Sequence, residues 1–173
     1  RPESADDRDL SLLVEQIEAA VFYGGSFQDE QTGAQFGGML DRFHHAAAFK
    51  VQLTNGRHPD GYAPDAVYRW FEFLEFYLAE RIPQMSPLVR SFGASQFGSS
   101  FGIEEVIFED DRFTSFESYD AALAAYEQEP TVRLLFESGA ADDQEVGVPV
   151  ARFESAQDSW PVDSVPTIQW FLA

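Results

Sequence analysis

Three histidines are the only side chains of this sequence whose ordinary chemistry exchanges protons near neutral pH, and one of them stands where chemistry is commonly done. His58 lies in the loop GRHPDGYAP, directly after the run FKVQLTN, which reads as a strand. Open α/β sheets hold their working residues in loops of this kind, outside the carboxyl ends of the strands. Asp29 occupies the equivalent place one strand earlier, in the loop SFQDEQ behind AVFYGG. Adjacent parallel strands are ~4.8 Å apart, so loops leaving their same ends can bring two side chains into contact. An Asp that accepts a hydrogen bond from a His ring nitrogen fixes the tautomer and steadies the imidazolium formed in catalysis. A lone Asp and a lone His in loops are also common as structural residues, so spacing alone leaves both readings open.

The remaining candidates read as structural. His44 and His45 fall at the end of a predicted helix, where imidazoles meet the last carbonyls and the negative end of the dipole. Gly98-Ser99-Ser100-Phe101-Gly102 matches G-x-S-x-G literally. A nucleophile elbow, however, needs a buried strand feeding a sharp turn into a helix, and residues 91–97 make a poor strand. We therefore read it as a loop. Glu104, Glu105 and the run 109–111 alternate with apolar residues as a solvated edge would, and Asp142, Asp143 and Glu145 lack the Gly-centred spacing of a calcium loop. No metal site is expected. There is no cysteine, so thiolate catalysis and disulfides are excluded; no phosphate loop or dinucleotide fingerprint occurs.

The elements that must position Asp29 and His58 are legible in outline. Residues 10–18 read as a short helix with Leu10, Leu13, Val14 and Ile17 on one face, and 20–25 as a buried strand. Thr32 with Gln35 suggests a capping box opening a helix that carries Phe36, Met39, Leu40 and Phe43. Residues 49–55 form a second strand. A helix over 64–80 follows, its inner face drawn from Val67, Trp70, Phe71, Leu74, Tyr77 and Leu78, with Pro83 as its stop. Alternation of this kind implies parallel strands covered by helices. Two strands are too few for such a sheet, so more of it is expected from upstream. Residues 84–117 read as a connecting segment with short helical pieces, and 118–130 as a helix capped by Ser118. TVRLLFESG, VARFESAQ and TIQWFLA then read as the opening strands of an all-β domain, cut short at Ala173.

Composition sets the outer limits. The 173 residues include 17 Phe, 6 Tyr and 3 Trp, enough for a packed core. Thirty Asp and Glu stand against 11 Lys and Arg, a formal net charge of −19, and Lys50 is the single lysine. Such a surface repels phosphate backbones, so no nucleic-acid partner is expected. The carboxylates are scattered, which favours a generally acidic surface over a pocket tuned for cations. No apolar run approaches the ~20 residues of a membrane span. The sequence leaves homo-oligomerisation and compartment open.

The stretches GGSFQDEQTG, LTNGRHPDGYAP and RWFEFLEFYLAERIP resemble the cocaine-esterase and X-prolyl dipeptidyl-peptidase family of serine α/β-hydrolases. TVRLLFESG, FESAQDSWP with its Trp160-Pro161 pair, and TIQWFLA resemble the start of that family's C-terminal jelly-roll-like β-sandwich. The resemblance covers nearly the whole chain in the same order. It implies an α/β fold in which residues 1–82 are the C-terminal part of the hydrolase domain, 83–130 a connecting segment, and 131–173 the beginning of the sandwich. It also implies Asp29 as triad acid and His58 as general base, with the nucleophilic Ser upstream of Arg1 in the missing N-terminal hydrolase portion. Substrates would be small-molecule esters, amides or X-Pro peptides, and no cofactor is implied. Gly56 and Arg57 stand where relatives place Trp and Gly before the His, which leaves substrate preference near His58 open. The competing expectation is a non-catalytic, acidic and aromatic-rich module that binds a partner or a carbohydrate.

Overall fold

A computed structural model describes residues 10–103, 106, 108–163, 165–166 and 168. Its centre is a four-stranded sheet in the order β1 (Val21–Ser26), β2 (Phe49–Thr54), β3 (Val132–Phe136), β4 (Phe153–Gln157). β1, β2 and β3 run parallel; β4 is an antiparallel edge. The chain is thus of mixed α/β class. The runs 132–136 and 153–157, expected to open a separate sandwich, instead extend the sheet begun by β1 and β2. Their alternating patterns suit either arrangement, and pairing partners are not encoded locally. The run 167–173 lies, apart from Ile168, outside the described residues.

Side chains alternate between the two faces of the sheet as the pleat requires. Val51, Leu53 and Val132 join Leu40 in one core, with Tyr23, Phe36 and Trp160 packed against it. On the opposite face, Phe22 packs toward α1 (Pro64–Tyr77) and α3 (Tyr119–Glu127), whose Phe73, Phe76, Ala122 and Tyr126 form a second core with Phe113. Fully burying one such side chain stabilises the fold by about 1.5–3 kcal/mol. The inner face of α1 differs from expectation. Tyr68, Glu72, Phe73 and Phe76 are buried, whereas Trp70 and Leu78 are exposed. Val67, Phe71, Leu74 and Tyr77 pack half-buried against the cores as expected, so hydrophobicity finds much of this face but not Tyr68 and the charged Glu72 at its centre. It also ends at Tyr77, ahead of Pro83, with Glu80 turning into a left-handed conformation (φ 52°).

Two expected helices are replaced by tighter turns. Residues 10–18 form short 3-10 segments, Leu10–Leu12 and Val14–Gln16, and the segment after Asp29 forms Gly33–Gly38 and Leu40–Arg42. Thr32 makes no side-chain cap. Gly33, Gly37 and Gly38 give that stretch too little helix propensity to continue as an α-helix. Conversely, the expected connecting segment contains a 15-residue helix, α2 (Pro87–Phe101). Its Ser86 hydroxyl accepts from the Val89 N–H (3.2 Å), Pro87 fills its first turn and Gly102 ends it in a left-handed conformation (φ 72°). Ser118 caps α3 as expected, accepting from the Ala121 N–H. No helix among the described residues is long and apolar enough to cross a membrane.

Buried charge ties these elements together. Glu72 of α1 is 0 % exposed; its carboxylate receives Arg112 Nε (2.9 Å), Arg112 Nη2 (2.6 Å) and Arg69 Nη1 (3.2 Å). Arg112 continues to Glu129, beyond the end of α3, and Arg69 to Glu109. Lys50 donates to the Glu129 carbonyl at 2.6 Å. Removing one partner of such a buried cluster strands the others. Glu72→Ala is therefore expected to lower unfolding free energy in urea by on the order of 3 kcal/mol. Arg152→Ala, at the exposed pair with Glu137, should change it by under about 1 kcal/mol. Equal small effects would mean that the Glu72 cluster does not bind the layers together.

Candidate active site

β1 and β2 are paired in flush register, Val21 with Phe49 through Ser26 with Thr54. Their carboxyl ends therefore finish side by side, and the pairing continues into the loops. The Phe27 N–H donates to the Thr54 carbonyl (2.8 Å) and the Gln28 N–H to the Gly56 carbonyl (3.1 Å). Asp29 follows one residue later, and His58 begins the 3-10 turn His58–Tyr62. Asp29 Oδ2 lies 2.7 Å from His58 Nδ1. The two residues singled out by spacing meet.

The acid loop is built to aim Asp29. Its other oxygen, Oδ1, accepts the N–H groups of Gln31 (2.7 Å) and Thr32 (2.9 Å), so the aspartate itself closes the turn that Thr32 was expected to cap. The Gly33 N–H returns to the Asp29 carbonyl at 2.9 Å, and Gly33 takes the left-handed conformation (φ 64°) that glycine enters without strain. Phe36 then folds back over Gly25, where any Cβ would fall 2.8 Å from its ring. Trp160 fastens the far side. Its indole N–H donates to the Gly37 carbonyl (2.9 Å), and its ring stands 6.3 Å from that of Phe27. A residue 131 positions downstream thus holds the acid loop, and local sequence pattern carries no sign of it.

Asp29 is held ionised. The Thr32 N–H, the His58 ring and the Gln31 N–H lower its pKa to about 2, with burial working the other way. An ionised carboxylate can only accept, so Nδ1 must be the donating nitrogen of His58. A neutral imidazole then presents Nε2 as a proton acceptor. Asp29 is nearly covered (11 %) while His58 is open (43 %). The pair lines a cleft of about 320 Å³ together with Ser26, Gln52, Tyr62 and Trp70 among others. Tyr62 and Trp70 are exposed, giving the cleft an aromatic rim. The Glu30 carboxylate receives the His58 N–H at 3.4 Å.

The other candidates lie elsewhere. His44 and His45 are exposed in the turn after Leu40–Arg42, away from the cleft lining. Ser100 is exposed on α2 and belongs to a regular helix rather than a strand-to-helix elbow. Glu109 and Asp111 are ion-paired with Arg69 and Arg90, and Asp142 with Arg152. Glu104 and Glu105 lie outside the described residues. Among the described residues no hydroxyl hydrogen-bonds the His58 ring, and Ser26, buried at the end of β1, reaches the cleft without doing so.

No family model, no curated protein and no solved structure matches this chain.

The depressed pKa has a measurable consequence. A carboxyl whose folded value lies below its unfolded value of ~3.9 stabilises the fold fully above that value. That contribution is lost as pH falls toward about 2. The Asp29 carboxyl carbon, followed by NMR, should titrate with a midpoint near 2, and His58→Ala should raise it. A midpoint near 3.9 in the folded protein would contradict the hydrogen-bonded loop.

Proposed function

We propose that this chain supplies the acid–base half of a serine hydrolase of α/β-hydrolase type, cleaving an ester or amide bond through an acyl-enzyme. The observation that carries the reading is the 2.7 Å contact between Asp29 Oδ2 and His58 Nδ1 at the carboxyl ends of neighbouring parallel strands. With Nδ1–H fixed on Asp29, Nε2 faces the reaction as general base. A serine hydroxyl attacks the substrate carbonyl carbon while its proton passes to Nε2. The imidazolium, steadied by Asp29, then returns that proton to the departing alcohol or amine. Water repeats the cycle on the acyl-serine and frees the acid. The serine and the groups that hold the oxyanion would come from chain preceding residue 1, as the order Ser, Asp, His of α/β-hydrolases requires.

The resemblance noted in the sequence supports the same assignment and adds the substrate range of acyl esters, amides or X-Pro peptides, with no cofactor. On this reading the 173 residues alone are inactive, because no acyl-enzyme forms without the nucleophile. The exposed aromatics Tyr62 and Trp70 beside the cleft favour one second reading, a module that binds a carbohydrate or protein partner without catalysis.

Fluorophosphonate labelling of the full-length gene product, with mapping of the tagged peptide, tests the proposal. Labelling of a serine preceding Arg1, reduced by about 10⁴-fold in rate in His58→Ala, is the expected outcome. Labelling at Ser26 or Ser100 would overturn the topology. Absence of labelling would favour the binding module.

A further inference from the structure

We propose that Asp60 is the positioning residue for His58, an inference that rests on His58 working through Asp29. Among the described residues His58 has a single side-chain anchor, and its ring is otherwise open to the cleft. Its aim therefore depends on how its backbone is delivered. Asp60 controls that delivery from both sides. Its Oδ2 accepts the Arg57 N–H at 2.8 Å, fixing the extended residue (φ −86°, ψ 177°) that leads into His58. The Asp60 N–H donates to the Arg57 carbonyl at 3.1 Å, and the Asp60 carbonyl accepts the Ala63 N–H at 3.0 Å, where α1 begins. Pro59 fixes its own φ between them. The turn holding the histidine is thus bolted to the helix behind it.

Two features point to placement rather than stability as the reason for a carboxylate here. Asp60 is only 7 % exposed, yet among the described residues Oδ1 has no hydrogen-bond partner, and the exposed Arg57 guanidinium is 3.9 Å away. A buried carboxylate so incompletely paired is costly to the fold. Space is also reserved for it: a Cβ on Gly56 would collide with the Asp60 carboxylate. Gly56 departs from the left-handed geometry that usually calls for glycine, since its φ is not among the positive ones. Its lack of a side chain instead lets the Asp60 carboxylate lie over the backbone just ahead of His58.

Long-range ¹H–¹⁵N correlation spectra of the imidazoles in the full-length gene product test this by reading the tautomer of His58, with circular dichroism reporting the fold. In the wild type His58 should be in the Nδ1–H form. Asp60→Ala should lose that single form and show the tautomer mixture of an unanchored imidazole while the fold is kept. Asp60→Asn, whose amide oxygen can accept the Arg57 N–H, should restore the Nδ1–H form. Should Asp60→Ala not fold, Gly56→Ala, which pushes the carboxylate aside, is expected to give the same loss. Asp60→Ala or Gly56→Ala with wild-type His58 signals would overturn the role of Asp60 alone. A wild type lacking the Nδ1–H form would remove the Asp29–His58 pair itself and the proposal with it.

Discussion

Parallel pairing of β1 with β2 in flush register is the constraint on which the candidate site depends. Asp29 and His58 are 29 positions apart and sit in loops of different length. They meet because Ser26 and Thr54 are partners at the ends of their strands, and because the backbone pairing runs on through Phe27 and Gln28. A slip of one residue would turn every side chain of a strand to the opposite face and misalign the loops. The alternation of Val51 and Leu53 toward one core, with Lys50, Gln52 and Thr54 toward the other face, guards against that slip. Packing thus protects the register, and the register brings Asp29 and His58 together.

A second layer of constraint is electrostatic. In a chain of formal charge −19, several of the few cations are spent indoors. Arg69 and Arg112 neutralise the buried Glu72, Arg133 joins Gln52, Glu154 and the Asp65 carbonyl, and Lys50 reaches Glu129 over the ring of Tyr126. These contacts link α1, the segment after α2, α3 and the sheet, which fixes the platform from which the His58 turn departs. The outer surface is left acidic as a consequence. Such a field repels anionic molecules on approach.

The sequence carried the strands 20–25 and 49–55, the helix starting at Pro64 and the one capped by Ser118, and the meeting of Asp29 with His58, because each rests on local signals: alternation, caps and a loop after a strand. It failed where the deciding partner is distant. The buried face of α1 turns on Glu72 meeting Arg112, 40 residues away, which no hydrophobic periodicity reports. β3 and β4 look alike whether they join the first sheet or begin another. Trp160, which holds the acid loop, lies 131 positions beyond Asp29. Only α2 was missed despite readable signals, since Ser86, Pro87 and Gly102 mark its ends while Gly93 and Gly98 blur its interior.

Asp29 and His58 carry their proposed meaning as one unit, and a double-mutant cycle on the full-length gene product measures that unity most directly. Rates of fluorophosphonate labelling would be compared for the parent, Asp29→Asn, His58→Ala and the double variant. The account predicts strong non-additivity, with the double variant no slower than His58→Ala within a few-fold, because Asp29 acts through the ring that His58 supplies. Losses that multiply would show two residues acting independently, and the 2.7 Å contact would then be a structural hydrogen bond rather than the core of an active site.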